Sequence, residues 1–445
     1  MNNTIYALST INGKSGVAVF RISGKNALNA VSLMTGIDIN ITPRHAYLTE
    51  LYHSQTKQIL DKVLVLYFKA PHSFTGEDIV EFHTHGSKAV LNSVLESLSL
   101  IDDFRLAEPG EFSKRAFLNS KMDLTEAEGL ADLIDAETSM QQQYALKQMS
   151  GNLKNLYESW RRQILGVYAY MEAYIDFPDE DIPQDIIAKN LNTVFKIKNE
   201  IQNHLKNSKS GERLRDGFKV VITGPTNAGK SSLINALTDR YAVIVSDTPG
   251  TTRDAIDIYL DIKGYPVVLT DTAGLRKTSD DIEKQGIEIA RQKINDADFV
   301  LAVFDASKGD KQIFKELENT DQNKIIYLAN KADLLDNEQC SKFKNEGCFL
   351  ISAKTKTGLT ELLNVLADKI QNTIGSNTSA LITRARYREA LNDCLKNLDA
   401  FDFDKPIELA AEDIRLAARA IGKITGRIEV DEILDKIFSS FCIGK

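Results

Sequence analysis

Cysteine is scarce in this chain, and the positions of the few cysteines exclude the sites that this residue usually builds. Cys340, Cys348, Cys394 and Cys442 form no C-x-x-C pair. The sequence therefore indicates neither a zinc site nor a disulfide framework. Such usage is typical of proteins in a reducing cytoplasm.

Long hydrophobic runs are missing as well. No apolar stretch approaches the roughly 18 residues that cross a membrane. The first residues, Met-Asn-Asn-Thr, lack the basic region of a secretory signal. We expect a soluble cytoplasmic protein with no membrane contact.

Positive charge is in deficit, because 62 acidic residues outnumber 54 basic ones and leave a net charge of −8. This balance disfavours a broad basic face for binding a duplex, although local basic patches leave RNA open as a partner. The remaining composition, with 43% hydrophobic and 26% charged residues, is that of ordinary globular domains. A length of 445 residues corresponds to about three of them.

Local patterns divide the chain into strand-rich and helical regions. The β-rich runs at 17–20 and 63–68 lie among Gly, Pro and Asn residues and predict a small α/β domain. Two later stretches have the apolar spacing of helices, one from Leu153 to Ile175 and one from Ala410 to Ile421.

The region between those helical stretches alternates strand and helix patterns. Polar joints that contain Ser and Gly flank it at 207–211 and 375–379. Such joints favour an inserted domain. We predict a discontinuous helical domain around an inserted α/β domain with a doubly wound, mainly parallel sheet. The predicted boundaries are 1–119, 120–215, 216–374 and 375–445.

A phosphate-binding motif opens the inserted domain. Residues 220–232 have the sequence VVITGPTNAGKSS, an apolar strand followed by the P-loop pattern G-x-x-x-x-G-K-S and a helical pattern. In this motif Lys230 reaches the β- and γ-phosphates, and Ser231 offers an oxygen to Mg²⁺. The predicted phosphate contacts are Asn227, Ala228, Gly229, Lys230, Ser231 and Ser232.

Two more loops are predicted to reach the triphosphate. The run 267–274 is a strand that ends in D-x-x-G, where Asp271 holds the metal through water and the Gly274 N–H senses the γ-phosphate. In the polar loop before it, Thr252 is a candidate second Mg²⁺ ligand. The predicted contacts of these loops are Ser246, Asp247, Thr248, Pro249, Gly250, Thr251, Thr252, Asp271, Thr272, Ala273 and Gly274.

Two strand ends supply a base-binding pattern, Asn-Lys-Ala-Asp at 330–333 and Ser-Ala-Lys at 352–354. A carboxylate at Asp333 accepts hydrogen bonds from guanine N1–H and the exocyclic amine, whereas adenine has no proton at N1. The nucleotide is therefore predicted to be GTP. Asn330 would steady the base and the loop, the Lys331 stem would cover one ring face, and the Ala353 N–H would meet guanine O6. Ser352 and Lys354 complete the predicted contacts.

The residue that positions the attacking water is left open by these motifs. Leu275 follows D-x-x-G, where Ras-type GTPases have a glutamine. Because an alkyl side chain has no donor or acceptor, either hydrolysis is very slow or a residue of the polar segment 276–283 acts instead. Asn227 is suited to help carbonyl oxygens of 246–251 bind K⁺, but asparagine is equally a common loop residue.

Several stretches together resemble the MnmE (TrmE) family of tRNA-modification GTPases over essentially the full chain. Outside the G-domain they are RISG at 21–24, SFTGED at 73–78, PGEF at 109–112, RAFLN at 115–119, AYIDFP at 173–178 and FCIGK at 441–445. The resemblance implies a folate-binding, dimerising N-terminal domain, a discontinuous helical domain and an inserted Ras-like G-domain.

The resemblance also implies a function. Members of the family form homodimers and act with an FAD-carrying partner, MnmG, on the wobble uridine of tRNA. They add an aminomethyl or carboxymethylaminomethyl group to C5, with a carbon from 5-formyl- or 5,10-methylene-tetrahydrofolate. GTP is hydrolysed to GDP, and K⁺ stands in for an arginine finger.

Residue roles follow from the same resemblance. The implied folate contacts are Arg21, Glu81, Lys121 and Lys445, and Cys442 would lie near the modification chemistry. The implied K⁺ ligands are Asn227, Ser246, Thr248 and Thr251. Ser231 and Thr252 would bind Mg²⁺, and Glu283 would orient the water.

Alternative interpretations remain open for single residues and for the function of the chain. Cys442 is also interpretable as a small apolar residue packed beside Phe441, and His83 and His85 as polar strand and turn residues, not metal ligands. One rival function is an RNA-binding GTPase switch in ribosome or ribonucleoprotein assembly. Another is a folate-dependent transferase whose G-domain is purely regulatory.

Overall fold

The structure is a computed structural model with two compact units, Met1–Ala131 together with Gly422–Lys445, and Asp132–Ile421. The described residues are 3–38, 40–177, 184–206, 208–239, 243–244, 257–271, 288, 290–309, 312–375, 381–428, 434, 437–439, 441–442 and 444. The domain boundaries given above stay predictions.

The first unit contains a mixed sheet in the order β3-β4-β5-β2-β1-β6. All neighbouring strands are antiparallel except β1 and β6, which are parallel. The predicted strand runs at 17–20 and 63–68 overlap β2 and β4. The strands are β1 Thr4–Leu8, β2 Ala18–Ser23, β3 Tyr47–Tyr52, β4 Ile59–Phe68, β5 Ile79–Thr84 and β6 Phe104–Leu106.

Helices α1 (Ala27–Met34) and α2 (Lys88–Ser99) share a hydrophobic core with this sheet. Helices α3 (Glu111–Leu118) and α4 (Leu124–Ile134) follow. A separate apolar cluster joins the start of α4 to residues near the end of the chain, with Leu124 and Ala127 against Leu434, Phe438 and Phe441. The last described residues therefore pack within the first unit.

The helical part of the second unit contains α5 Ser139–Met149, α6 Asn152–Asp176, α7 Gln184–Lys206, α8 Ser208–Asp216, α13 Ala385–Ala400 and α14 Ile407–Thr425, the last of which continues into the first unit. The predicted stripes are confirmed, since Trp160 and Ile164 of α6 and Ile414 and Ile421 of α14 are buried.

The linker predicted at 207–211 is wrong for residues 208–211, which begin α8. Gly211 lies so close to the backbone carbonyl of Ile382 that a Cβ would overlap it. Tertiary packing has therefore outweighed the flexible composition of this segment.

The sheet of the second unit has the strand order β13-β12-β11-β7-β10-β9-β8 among the described residues. Strands β13, β12, β11, β7 and β10 are parallel, and β9 and β8 extend the sheet in antiparallel pairs. The strands are β7 Phe218–Thr223, β8 Val243–Ile244, β9 Asp257–Ile262, β10 Tyr265–Asp271, β11 Phe299–Asp305, β12 Ile325–Asn330 and β13 Phe349–Leu350.

The helices of this sheet are α9 Lys230–Thr238, α10 Gln312–Glu316, α11 Asn337–Asn345 and α12 Leu359–Ile374. The alternation of parallel strands and helices confirms the predicted doubly wound fold. Because the parallel strands end at one edge of the sheet, the loops after β7, β12 and β13 lie at that edge. Within the described part of the chain, no helix combines the length and hydrophobicity of a membrane span.

Candidate nucleotide and N-terminal sites

The P-loop connects β7 to α9, as its sequence predicts. Gly224 has φ +149° and packs on Val303 so closely that a Cβ would overlap the Val303 carbonyl oxygen. Gly229 has φ +93°, and a Cβ there would overlap the side-chain amide of Asn330. Both positions therefore require glycine.

Lys230 begins α9 and is buried, at 8% exposure. Its Nζ donates hydrogen bonds to the carbonyl oxygens of Gly224, at 2.8 Å, and Pro225, at 2.9 Å. The ammonium is thus held inside the loop. Together with the positive end of α9, it makes this loop suited to a polyphosphate. Ser231 and Ser232 follow in the first turn and are exposed.

Asn330 connects the P-loop to the two base loops, which are residues 330–333 and 352–354. Its Nδ2 donates to the carbonyl oxygen of Ala228 at 2.8 Å, and its Oδ1 accepts from the Ala353 N–H at 3.0 Å. These contacts hold the P-loop and the loop of Ala353 together, and the predicted role of Asn330 at the base stays a prediction. The Ala353 amide is engaged by Asn330, so its predicted contact with guanine O6 requires that hydrogen bond to be shared or exchanged.

Asp333 is exposed on the short helical turn Ala332–Leu334. Its Oδ1 accepts a hydrogen bond from Ser352 Oγ at 2.6 Å, and Ser352 Oγ also accepts from the Thr355 N–H at 3.1 Å. The orientation of the Asp333 carboxylate is thus fixed by the second base loop, while its other oxygen stays available to a ligand.

Lys331 forms an ion pair that the sequence did not suggest. Its Nζ lies 2.6 Å from Oδ2 of Asp305, the last residue of β11. Burial raises the pKa of the Asp305 carboxyl, but hydrogen bonds from Lys331 and Ser307 outweigh burial and lower that pKa below its ordinary value. The sequence feature that could have identified Asp305 is a carboxylate at the end of a continuous apolar run.

The remaining loops of the predicted site are only partly described. Asp271 ends β10 opposite Ile222 of β7, beside the P-loop strand. Asn227 is exposed in the P-loop with φ +65°. Outside the described residues lie Ser246, Asp247, Thr248, Pro249, Gly250, Thr251, Thr252, Thr272, Ala273, Gly274 and Glu283. No group of three metal-binding side chains occurs in the part of the chain that the structure describes.

A second cluster of predicted site residues lies on the N-terminal sheet. Arg21 of β2 and Glu81 of β5 are cross-strand partners, with Nε and Oε1 2.9 Å apart. The Arg21 guanidinium is 5.6 Å from the ring centroid of Phe74 and 5.9 Å from that of Phe112. Glu81 also contacts His83, at 3.3 Å from Nε2.

The loop that carries Phe74 is held by Arg115, a residue whose role the motifs did not reveal. Arg115 is 1% exposed, and its guanidinium lies 2.9 Å from Glu77 and 3.0 Å from Glu111. Lys121 donates to the carbonyl oxygen of Pro71 in the same loop, at 2.8 Å. Arg21 and Lys121 thus contact one loop. His85, in contrast, pairs with Asp61.

The segment near the end of the chain reaches the same sheet. Ser9 Oγ donates to the carbonyl oxygen of Gly444 at 3.1 Å, and the Gly110 N–H donates to that of Cys442 at 3.4 Å. Ser9 follows β1, whose Ala7 is opposite Arg21. Cys442 is exposed, and Lys445 lies outside the described residues.

Two protein-family models match the chain. "GTP-binding protein TrmE N-terminus" matches residues 4–121, and "MnmE helical domain" matches residues 124–442. Among curated proteins, tRNA modification GTPase MnmE of Rickettsia typhi is 47% identical over 99% of this chain and 100% of that protein. The protein of the same name from Rickettsia akari is 46% identical with the same coverage.

Solved structures resemble part of the chain. The G domain of the T. maritima FeoB iron transporter covers 35% of this chain and 99% of its own, at 29% identity and a TM-score of 0.27. Aquifex aeolicus Era bound to GDP and AlF₄⁻ covers 42% of this chain and 69% of its own, at 23% identity and a TM-score of 0.28.

Proposed function

The chain belongs to the MnmE family of tRNA modification GTPases, and we propose that it uses GTP to drive substitution at C5 of the tRNA wobble uridine. Membership makes it a GTPase tied to tRNA modification. The observation that supports binding of a guanine nucleotide is the hydrogen bond from Ser352 to the Asp333 carboxylate, at 2.6 Å. A fixed carboxylate accepts from both donors on the guanine edge and leaves adenine unmatched.

Mg²⁺ and K⁺ are proposed from the donor chemistry of the P-loop. The exposed hydroxyl of Ser231 in the first turn of α9 suits Mg²⁺, with Thr252 as its second protein ligand. The exposed side-chain oxygen of Asn227 suits K⁺. Ser246, Thr248 and Thr251 would complete the K⁺ ligands. When bound, these ions would neutralise charge that develops on the phosphates.

Glu283 is proposed to orient the attacking water, since Leu275 offers it no hydrogen bond. A carboxylate accepts the water proton and turns the oxygen lone pair toward the γ-phosphorus. Lys230 would hold the phosphates, and Asp271 would support Mg²⁺ when the ion is bound.

The N-terminal site is proposed to bind a tetrahydrofolate, 5-formyl or 5,10-methylene. The Arg21–Glu81 pair offers a planar donor fork and an acceptor beside the rings of Phe74 and Phe112. This combination fits a flat heteroaromatic group with donors and acceptors on its edge. When bound, the folate would supply the one-carbon unit.

Further residues are proposed to complete this N-terminal site. Lys121 and Lys445 would contact the folate. The backbone of the Cys442 segment contacts Ser9 and Gly110 of the same unit. That packing supports a place for the Cys442 thiol near the modification chemistry.

The proposal includes partners. A second copy of the chain and an MnmG-type protein with FAD would complete the enzyme, and its action would be in the cytoplasm, on tRNA. The product would be an aminomethyl or carboxymethylaminomethyl uridine. A switch that only times ribonucleoprotein assembly would bind GTP as well but would leave tRNA nucleosides unchanged.

Mass analysis of tRNA nucleosides tests the proposal. Deletion of the gene should remove the C5-substituted wobble uridine, and wild-type protein expressed from a plasmid should restore it. Expression of the Asp333→Asn variant should restore much less, because GTP binding is weakened. Normal modification in the deletion strain, accompanied by a defect in ribosomal particles, would favour the assembly switch instead.

A further inference from the structure

Asp305 occupies a central place beside the base-binding loops. It ends β11 directly opposite Asn330 of β12. Its side chain is only 8% exposed. Oδ2 lies 2.6 Å from Lys331 Nζ, while Oδ1 accepts from the Ser307 N–H at 3.1 Å and from Ser307 Oγ at 2.6 Å. Both carboxylate oxygens are therefore engaged, one by Lys331 and one by the turn after β11.

Lys331 has an unusual backbone at this point. Its φ is +65°, in the left-handed region that lysine rarely adopts, and it immediately precedes the helical turn Ala332–Leu334 that carries Asp333. Such a conformation persists where surrounding contacts determine it. Two sets of contacts hold the backbone here. The Lys331 side chain pairs with Asp305, and the preceding residue, Asn330, makes two hydrogen bonds.

The ion pair also fixes the Lys331 side chain. A lysine with an unrestrained ammonium samples many rotamers, and that freedom is lost when a ligand stacks on its stem. Because Nζ is held at Asp305, most of this ordering is complete before a nucleotide binds. Preorganisation of this kind raises affinity without adding any contact to the ligand.

We propose that Asp305 is a positioning residue for guanine-nucleotide binding: it holds the Lys331 ammonium so that the methylene stem lies against the purine ring. It also supports the turn that presents Asp333. The inference rests on the assignment of Lys331 and Asp333 to the base site in the proposed function. In this role Asp305 would act through Lys331 and would not itself contact the nucleotide.

The role predicts a specific kinetic pattern. Loss of the ion pair should weaken GTP and GDP to the same extent, since both carry the same base. Turnover at saturating GTP should change little, because the γ-phosphate lies at the opposite end of the nucleotide. A general loosening of the sheet would instead lower both affinity and turnover.

Asp305→Asn in the full-length protein is the direct test, since it keeps the side-chain shape and an acceptor for Ser307. We expect the Kd of GDP and of GTP to rise about tenfold each, with kcat at saturating GTP within about twofold of wild type. Ser307→Ala is the matched control, because it removes the hydroxyl contact to the same carboxylate but leaves Lys331 paired. Its Kd should stay within about twofold of wild type.

A double-mutant cycle identifies the route of the effect. In a Lys331→Met background, Asp305→Asn should add less than about twofold to the Kd of GDP. An equal loss in both backgrounds would overturn the proposal, since Asp305 would then act through another contact. Unchanged affinity in Lys331→Met alone would reject Lys331 as a base contact. If Lys331→Met binds GDP more weakly than wild type while Asp305→Asn binds it with unchanged affinity, only the role of Asp305 is overturned.

A second pair of variants applies if Asp305→Asn does not fold, as judged by circular dichroism. Lys331→Arg retains a charge that reaches Asp305 and should bind GDP within about threefold of wild type. Lys331→Met should lose about tenfold. Equal losses in the two variants would overturn the proposal.

Discussion

Ser352 and Asp333 are joined by a hydrogen bond of 2.6 Å between Ser352 Oγ and Asp333 Oδ1, across 19 positions of sequence. The bond fixes one oxygen of the carboxylate. Asn330, three positions before Asp333, donates to the carbonyl oxygen of Ala228 in the P-loop. The two loops of the predicted base-binding pattern therefore position each other.

Asp333→Asn should change the base that the site accepts. An amide presents a donor where guanine also presents its exocyclic amine, so GTP affinity should fall about 100-fold or more. Xanthosine triphosphate, which has a carbonyl at that position, should bind better than GTP. Calorimetry with both nucleotides measures the exchange, and exposed Glu338→Gln is the control. Unaltered GTP affinity would exclude Asp333 from base recognition.

Glu283→Ala should separate binding from hydrolysis. We expect turnover to fall about 100-fold while the Kd of GTP changes less than about threefold, because the carboxylate acts on the water and not on the nucleotide. Single-turnover phosphate release measures the rate. The matched control is Glu288→Ala, an exposed acid in the same part of the chain. Similar rates in both variants would move the water-orienting role to another residue.

GTP turnover should depend on the monovalent cation. K⁺ should support a rate about tenfold above that in Na⁺, since carbonyl and hydroxyl oxygens spaced for K⁺ hold the smaller ion less well. Asn227→Ala should abolish the difference while Mg²⁺-dependent GTP binding persists. Equal rates in the two salts at matched ionic strength would count against the K⁺ site.

His204 should make the helical part of the second unit sensitive to acid. Burial lowers the pKa of His204 from 6.5 to about 4. The unfolded chain therefore binds a proton at a higher pH than the folded chain does. Stability is fully present above pH 6.5, falls as the pH drops toward 4 and levels off below that value, with a total loss of about 3 kcal/mol.

Trp160 provides a probe for this prediction, because it is the only tryptophan of the chain and its ring lies 5.5 Å from that of His204. Denaturant unfolding followed by Trp160 fluorescence at pH 7 and pH 5 measures the loss. In His204→Gln, which can still accept from the Tyr157 hydroxyl, the His204 contribution should vanish. An identical pH dependence in wild type and variant would reject His204 as its source.

The sequence was sufficient to predict that the loops of the candidate nucleotide site lie together. The P-loop follows β7, Asn330 ends β12, and Ser352 and Ala353 come shortly after β13. The parallel fold brings these strand ends together. Their types and spacing alone therefore indicated a guanine nucleotide.

The sequence could not predict contacts between residues that are distant in the chain. Asp305 pairs with Lys331 across 26 positions, and Arg115 reaches Glu77 across 38. No local pattern specifies such partners. The linker predicted at 207–211 failed for a related reason: Ser208 and Gly211 favour a flexible segment by composition, but burial makes them part of α8.

Calorimetric titration of the purified protein with GTP, GDP and ATP in Mg²⁺ and K⁺ tests the central claim most directly. The account predicts that GTP and GDP bind at one site per chain, with affinities at least about 100-fold above that of ATP. Binding of ATP as tight as that of GTP, or no binding of either guanine nucleotide, would contradict it.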